Sequence, residues 1–229
     1  MEKKSPQDIM NEYPSIKALI PTEEEQRYVN GMTDQHFRSE NDPEAKTMGS
    51  CIYSETCPDA LHALELVADK LGKDDSKDRE FFKAQGAPES CLLPFARYYA
   101  VEGIRGKSRI VSVKDLEDDT KITLKPSPKG TPSLIIPESR APEAALKDVN
   151  YATVICGPAQ DREGFTVWTM HAGHPAPLIP IQKDEEGKPV KDAEGRMVVP
   201  EDTGWKYGDE IPVSEVRAKL GEDIFISIE

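Results

Sequence analysis

The sequence is poor in aromatic residues and contains no long hydrophobic run. Aromatic residues make up 7% and hydrophobic residues 37% of its 229 residues, and the mean hydropathy is −0.58. No segment approaches the roughly 20 apolar residues of a membrane-spanning helix. The opening MEKKSPQDIM lacks the apolar core of a signal peptide. We therefore expect a cytoplasmic protein without a membrane partner, in which long exposed loops surround a modest core.

Positive charge is also scarce. The chain has 29 Lys and Arg against 42 Asp and Glu, which gives a formal net charge of −13. Residues 104–150 are the exception, with 9 Lys and Arg against 7 acidic residues. Because an acidic surface repels a phosphate backbone, nucleic-acid binding is disfavoured except at this locally basic stretch.

Cysteine is rare, and its spacing does not match a zinc knuckle. Cys51 and Cys57, together with His62 and Cys91, offer four residues of zinc-ligand type, but the close C-x2–4-C pair is missing. We expect reduced thiols with no metal and no cofactor. A metal-stabilised structural protein that uses these four residues remains an alternative.

Helical patterns dominate the first part of the chain. Residues 57–71 are predicted to form an amphipathic helix, with Thr56 and Asp59 as a capping pair. A second helix is predicted at 76–86, followed by a third apolar segment, CLLPFARYYAVEG. The residues at helical spacing on the apolar face of the first helix are Leu61, Leu64, Ala68 and Leu71.

From Ile104 onward the pattern changes to short β-branched segments bounded by Gly, Pro or Asp. These segments are SRIVSV, TKITLKPS, PSLIIPE, YATVICG and FTVWTM. Near the end, Ser214 is a candidate cap for a short helix, and the isoleucines of EDIFISIE alternate as on a strand. Helices followed by strands predict an α+β fold with N-terminal helices, a mostly antiparallel sheet, and a closing helix and strand.

The domain organisation follows from the same patterns. Residues 1–56 are polar, with a short helix at 22–29, and part of this region is expected to be mobile. Residues 57–103 form the helical part and residues 104–229 the β-rich part of one compact domain. Within the latter, KDEEGKPV and KDAEGRMV repeat at a spacing of eight. They predict exposed turns over 183–198 with Gly at positive φ.

The stretch FTVWTMHAGHP places two of the four histidines three residues apart. Residues 165–170 are predicted to pair with residues 151–156, and residues 173–177 to form the turn beyond. Strand alternation places Phe165, Val167, Thr169 and His171 on one face. The simplest register puts Cys156 opposite Phe165, roughly 20 Å along the strand from His171, which disfavours a Cys–His catalytic pair.

His171 and His174 have three competing interpretations. Histidine titrates near neutral pH, so the pair could act as acid and base at the end of a rigid strand. His171 could equally pack into the core or bond a turn carbonyl. A metal site is less favoured, because zincin-type sites place histidines four apart on a helix with an intervening Glu. No P-loop, G-x-G-x-x-G or G-x-S-x-G element is present.

The stretch TVICGP followed by FTVWTMHAGHP resembles the terminal hairpin of bacterial toxin-type ribonucleases of the RelE, EndoU and colicin class. The resemblance covers about thirty residues and rests on Thr169, His171, Gly173 and Pro175. It implies RNA cleavage without a metal, in which the 2′-hydroxyl attacks the adjacent phosphate. His171 or His174 would then move protons, and Thr169 would hydrogen-bond the phosphate. The cations implied for the developing charge are Lys121, Lys125, Lys129 and Arg140.

Two classes of function therefore lead. The first is a cytoplasmic bacterial protein with a His-dependent, ribonuclease-like site that binds RNA at the basic stretch. The second is a non-enzymatic, acidic interaction protein, such as an inhibitor or a phage-encoded binding protein, whose net charge of −13 suits a basic partner.

Overall fold

The computed structural model describes residues 6–127, 130–176 and 179–229. The helices of this part of the chain are α1 (Pro6–Glu12), α2 (Pro14–Leu19), α3 (Glu23–His36), α4 (Pro43–Thr47), α5 (Ala60–Leu66), α6 (Ser76–Ala84) and α7 (Val213–Leu220). The strands are β1 (Phe37–Arg38), β2 (Ser50–Tyr53), β3 (Arg97–Ser108), β4 (Ile110–Ser112), β5 (Lys121–Pro126), β6 (Pro132–Ile136), β7 (Val149–Pro158), β8 (Phe165–Ala172), β9 (Glu210–Pro212) and β10 (Phe225–Ile228). The protein has an α+β fold, as predicted. None of the described helices combines the length and the apolar character needed to cross a membrane.

The chain divides into two units, each with its own sheet and core. The first unit comprises Met1–Ser108 and Asp148–Pro175, and the second comprises Arg109–Lys147 and Ala176–Glu229. The divisions expected at residues 56 and 103 do not coincide with the division between these units. The path of the chain is the reason, because residues 148–175 return to the first sheet after the second unit has begun.

The sheet of the first unit has the order β1-β2-β3-β7-β8, and only its β1–β2 pair is parallel. One of its faces is covered by an apolar cluster to which α1, α2, α3 and α5 contribute, including Ile16, Met32 and Leu64. A second cluster contains Phe82 of α6 with Tyr98 and Tyr151 of the sheet. Both faces of the central strands are therefore buried.

Two carboxylates of the α6 segment cover an open edge of β3. Strand β3 pairs with β7 over Arg97 to Glu102, whereas β2 pairs only with Gly106 to Ser108. Asp75 accepts a hydrogen bond from the Tyr98 backbone N–H at 2.9 Å, and Asp78 accepts one from the Ala100 N–H at 2.8 Å. Side-chain oxygens thus take the place of a neighbouring strand.

The same two carboxylates also bind cations. Asp75 pairs with Arg79 at 2.9 Å, and Asp78 pairs with Lys70 at 2.6 Å. Asp75 is 2% and Asp78 8% exposed. Buried carboxylates are tolerated when they are paired and hydrogen-bonded, and both conditions hold here.

The sheet of the second unit has the order β4-β10-β6-β5-β9, in which only β10 and β6 are parallel. Its core contains the predicted alternating isoleucines Ile224, Ile226 and Ile228 together with Val213 and Val216 of α7. The five predicted strand segments and the closing helix and strand are confirmed. Ser214 does not cap α7, because the helix begins at Val213 and Pro212 occupies the N-cap position.

The first amphipathic helix is shorter than predicted. Helix α5 begins at Ala60, and the Asp59 side chain caps it by accepting the His62 N–H at 2.8 Å. Thr56 is not the cap, because its hydroxyl donates to the Tyr53 carbonyl. The predicted face is nevertheless buried, from Leu61 and Leu64 in the helix to Ala68 and Leu71 in the turns that follow it.

The N-terminal region, part of which was expected to be mobile, packs against the first core over the residues that the structure describes. Helix α3 extends over Glu23–His36 rather than 22–29, and its Thr22–Glu25 capping box is complete. The N-terminal helices bury Ile9, Ile16 and Met32 in the first core. Residues 57–103 are not helical throughout either, because β3 begins at Arg97. Residues 98–101, Tyr-Tyr-Ala-Val, favour a strand.

The repeat over 183–198 forms two similar turns, as predicted. Gly187 and Gly195 have φ of 80° and 79°. In the first turn, the Asp184 side chain accepts two backbone N–H groups, at 3.0 and 2.8 Å. Asp192 does the same in the second, at 3.1 and 2.8 Å. The repeated Asp and Gly are thus explained by local turn chemistry.

Candidate functional site

The predicted β7–β8 hairpin forms, with a β-bulge that the sequence does not indicate. Thr169 lies opposite Ile155, but Val167 lies opposite Cys156, so Trp168 is an extra residue. The bulge reverses the alternation of side chains. Val167 and Met170 therefore both lie in the first core. The expectation that Val167 shares a face with His171 is wrong, as is the register that placed Cys156 opposite Phe165.

His171 lies near the end of β8, opposite Thr153, and is partly buried. Its neighbours Met170 and Ala172 belong to the first core, so His171 projects from the other face of the sheet, together with Thr169. Burial is the main cause that lowers the pKa of His171 from 6.5 to about 4, and the charges of His36 and His174 contribute to this value. The imidazole is therefore neutral at pH 7.

His174 is held by the turn after β8. Its Nδ1 lies 2.7 Å from the Pro175 carbonyl oxygen, and its backbone N–H donates to the Tyr151 hydroxyl. Burial lowers its pKa as well. Gly173, with φ of 75°, makes the bend that places it there. The structure describes this turn as far as residue 176, so Pro177 lies outside the described residues.

Three of the four histidines therefore lie within electrostatic reach of one another: His36, His171 and His174. His171 and His174 belong to the stretch FTVWTMHAGHP. His36 lies at the end of α3, and no sequence pattern connected it with the other two. Among the described residues, no group of three or more His, Cys, Asp or Glu is arranged to hold a metal ion. A neutral imidazole can accept a proton, but its lowered pKa also makes it a weaker base than an ordinary histidine.

The cations implied by the ribonuclease resemblance do not belong to the unit of the histidines. Lys121, Lys125 and Arg140 lie in the second unit, and Lys129 lies outside the described residues. Lys125 pairs with Glu229 at 2.5 Å. Lys121 and Arg140 line a cavity of about 390 Å³ together with Asp119. The basic stretch thus forms a local site of mixed charge.

The three cysteines proposed with His62 for a structural metal lie in three different apolar clusters. Cys51 packs with Ala45 and Tyr53, Cys57 lies in the first core, and Cys91 lies in the cluster around Phe82. Burial raises the pKa of Cys57 to about 12 and that of Cys156 to about 12. Thiols with such pKa values are not activated nucleophiles.

An exposed aromatic surface surrounds the bulge. We define it by Tyr28, Leu93, Phe95 and Trp168, four of the five large hydrophobic residues exposed in the described part of the chain. The Phe95 and Trp168 rings meet edge to face at 6.2 Å. The Tyr28 hydroxyl donates to the Trp168 carbonyl at 2.6 Å, and Leu93 lies two residues before Phe95.

Sequence reasoning missed this aromatic surface. Its members come from α3, from the segment before β3 and from β8, so no local pattern connects them. Trp168 faces outward because of the bulge, and its ring covers Gly157, where a Cβ atom would lie 1.8 Å from the indole. Gly157, the glycine in TVICGP, was the one feature of the sequence that indicated a close approach of another group to this strand.

Two arginines near the start of β8 are paired with carboxylates. The Arg97 guanidinium lies 5.3 Å over the Phe165 ring and pairs with Asp75. Arg162, in the β7–β8 turn, pairs with Glu25 and Asp161. Neither arginine is thus an uncompensated cation.

Comparison with protein families, with curated proteins and with solved structures finds no match for this chain.

Proposed function

We propose that this protein is a non-enzymatic interaction protein that binds a basic protein partner through the aromatic surface. The observation that carries the proposal is the grouping of three exposed residues, in which Tyr28 and Phe95 both contact Trp168. Monomeric surfaces expose hydrophobic residues singly as a rule, whereas contiguous exposed groups mark interaction sites. Tyr and Trp are also the residues that most often dominate binding energies at protein interfaces.

Charge supports a basic protein over RNA. The first unit contains 23 Asp and Glu against 15 Lys and Arg, so its field attracts cations. Aromatic residues that bind single-stranded RNA usually work with a positive groove that follows the backbone. Arg97 and Arg162, near the start of β8, are already paired with carboxylates. An Arg or Lys of the partner can instead stack on the exposed rings.

A random library of 12-residue peptides tests the proposal, because it samples basic, acidic and apolar sequences alike. We expect the wild-type protein to enrich peptides that combine Lys or Arg with large apolar residues. A Phe95→Ala, Trp168→Ala double variant should not enrich them. For the best peptide, Phe95→Ala should weaken binding about tenfold, in the range of interface hot spots.

Leu66→Ala is the matched control, because Leu66 is 52% exposed but does not belong to the aromatic surface. Its affinity for the peptide should equal that of the wild type. Enrichment of the same peptides by the double variant, enrichment of uncharged or acidic peptides, or no enrichment at all would each exclude the proposal.

A His-dependent, ribonuclease-like activity is the second candidate, and the convergence of His36, His171 and His174 favours it. In such a site, neutral His171 accepts the proton of the 2′-hydroxyl while the 2′-oxygen bonds to phosphorus. The bond from phosphorus to the 5′-oxygen breaks, and the leaving 5′-oxygen takes a proton from water. Thr169, on the same face of β8, hydrogen-bonds the phosphate. The likeness to toxin-type ribonucleases motivates this candidate. This second candidate also includes the expectation that the protein is bacterial and cytoplasmic.

The two candidates differ in what they predict for RNA cleavage, and His171→Ala tests the second. If His171 is the base, the variant loses RNA cleavage and keeps its affinity for peptides selected on the aromatic surface. A wild-type protein that cleaves no single-stranded or hairpin RNA between pH 5 and pH 8 would exclude the second candidate and leave the first intact.

A further inference from the structure

The second unit contains a cavity that the proposed function does not use. Its volume is about 480 Å³, and its apolar lining includes Leu124, Val199, Trp205 and Tyr207. Cavities of a few hundred Å³ with apolar and aromatic walls and few polar groups are typical of small-molecule sites. The lining comes from β5, from the second repeat turn and from the segment before β9.

The two rings of this cavity are held in place by hydrogen bonds. The Trp205 indole N–H donates to Glu215 at 2.7 Å, and the Tyr207 hydroxyl donates to the Met197 carbonyl at 2.5 Å. The Arg196 guanidinium lies 4.5 Å from the centre of the Tyr207 ring. A wall fixed in this way loses little conformational entropy when a ligand binds.

Most charged groups in the lining already have partners. Asp192 and Glu194 both pair with Arg196, at 2.7 and 3.0 Å. Asp192 also accepts backbone N–H groups. Lys206 differs, because its ammonium has no hydrogen bond or ion pair within the described part of the chain. It is the lining group free to bind a negative charge.

We propose that this cavity binds a small aromatic molecule with a single negative charge, such as an aromatic carboxylate or sulfonate. The ring of the ligand packs against Trp205 and Val199, and its anionic group pairs with Lys206. The charges of Asp192 and Glu194 disfavour ligands with several negative charges, since like charges at short range repel. This site is independent of the aromatic surface of the first unit.

Tryptophan fluorescence gives a direct test. Trp168 and Trp205 are the two tryptophans of the chain, so a Trp168→Phe protein reports on Trp205 alone. The probe is 8-anilinonaphthalene-1-sulfonate, and its matched control is N-phenyl-1-naphthylamine, the same molecule without the sulfonate. We expect energy transfer from Trp205 to both probes, with tighter binding of the sulfonate.

Two lysine variants then distinguish a specific contact between Lys206 and the sulfonate from general electrostatic attraction. Lys206→Gln should weaken the sulfonate about tenfold and leave the neutral probe unchanged. Lys188→Gln removes an equal charge from the first repeat turn, outside the lining, and should change neither affinity. Ala193→Phe, which narrows the cavity, should weaken both probes.

Three results would overturn this inference. The first is the absence of energy transfer from Trp205 at any probe concentration up to 100 times the protein. The second is equal weakening of the sulfonate by the two lysine variants. The third is unchanged binding of both probes in a folded Ala193→Phe protein.

Discussion

At the scale of single residues, His171 illustrates how burial changes the chemistry that a motif suggests. A histidine beside a turn was expected to titrate near neutral pH. Burial on β8, with smaller contributions from His36 and His174, lowers its pKa to about 4. At pH 7 His171 is therefore neutral. It can accept a proton, but it is not the imidazolium that would donate one.

The lowered pKa predicts a pH dependence of stability. Between about pH 6.5 and pH 4 the unfolded chain carries a proton on this histidine that the native chain does not. The contribution of His171 is thus complete above pH 6.5 and is lost as the pH falls to 4. It amounts to at most about 3 kcal/mol. Urea unfolding should show a smaller loss between pH 7 and pH 5 for His171→Asn than for the wild type. Equal losses would contradict the pKa shift.

Glycines provide a second prediction at this scale. A Cβ atom on Gly106 would lie 2.6 Å from both the Ala172 Cβ and the Cys51 carbonyl oxygen. Gly106→Ala should therefore destabilise the protein by about 1–3 kcal/mol, as overpacking does. Gly31, inside α3, has open space around it. Gly31→Ala should stabilise by up to about 1 kcal/mol through helix propensity. Midpoints of chemical unfolding measure both, and a tolerated Gly106→Ala would contradict the close approach.

At the scale of elements, α6 stabilises β3 through its carboxylates rather than through apolar contacts alone. Asp75 and Asp78 satisfy the backbone N–H groups of Tyr98 and Ala100, which no strand reaches. An open strand edge invites pairing with other chains. The carboxylates therefore complete the sheet and also block its extension on this side.

Removing one carboxylate tests that role. Asp78→Ala leaves the buried Ala100 N–H unsatisfied and removes the carboxylate partner of Lys70, which keeps its hydrogen bond to the Ala100 carbonyl. We expect a loss of about 2–4 kcal/mol, most of it from the N–H group, since Lys70 is 40% exposed and its ion pair is screened. Glu80→Ala, an exposed acid on the same helix, should change stability by less than about half a kcal/mol. Similar losses in both variants would contradict the edge-capping role.

At the scale of the whole molecule, the two units have separate cores, and each contains one tryptophan. Leu64 and Trp168 belong to the first unit, and Ile226 and Trp205 to the second. A core truncation should act mainly within the unit whose packing it removes.

We predict that Leu64→Ala lowers the stability of the first unit by about 2–5 kcal/mol, as core truncations do. In single-tryptophan proteins, the transition reported by Trp168 should shift, while that reported by Trp205 stays near its wild-type midpoint. Ile226→Ala should give the reverse pattern. If both probes shift together in either variant, the units unfold as one cooperative body.

Much of the fold could be predicted, because local patterns carry it. The alternation of Ile224, Ile226 and Ile228 indicated a strand, and the spacing of Leu61 and Leu64 indicated a buried helix face. Both patterns reflect geometry that neighbouring residues share within one element. The β-rich segments after residue 104 and the two Gly turns were predictable for the same reason.

Other features depend on contacts between distant residues, and no local pattern records them. The division into two units follows from the return of β7 and β8 to the first sheet. The bulge at Trp168 decides that Val167 faces inward and the indole outward. The capping of β3 by Asp75 and Asp78 joins residues more than 20 positions apart.

The candidate sites likewise contain some features that the sequence determined and others that only the tertiary structure decided. The sequence by itself determined the α+β class, most strand positions and the placement of His171 at the end of a strand, because these follow from side-chain periodicity and turn chemistry. Only the tertiary structure decided which side chains meet. It separated the histidines from the basic stretch into different units, and it brought Tyr28, Phe95 and Trp168 together. Whether distant segments lie close together depends on how whole helices and strands pack. That packing brings the residues of the exposed aromatic surface together.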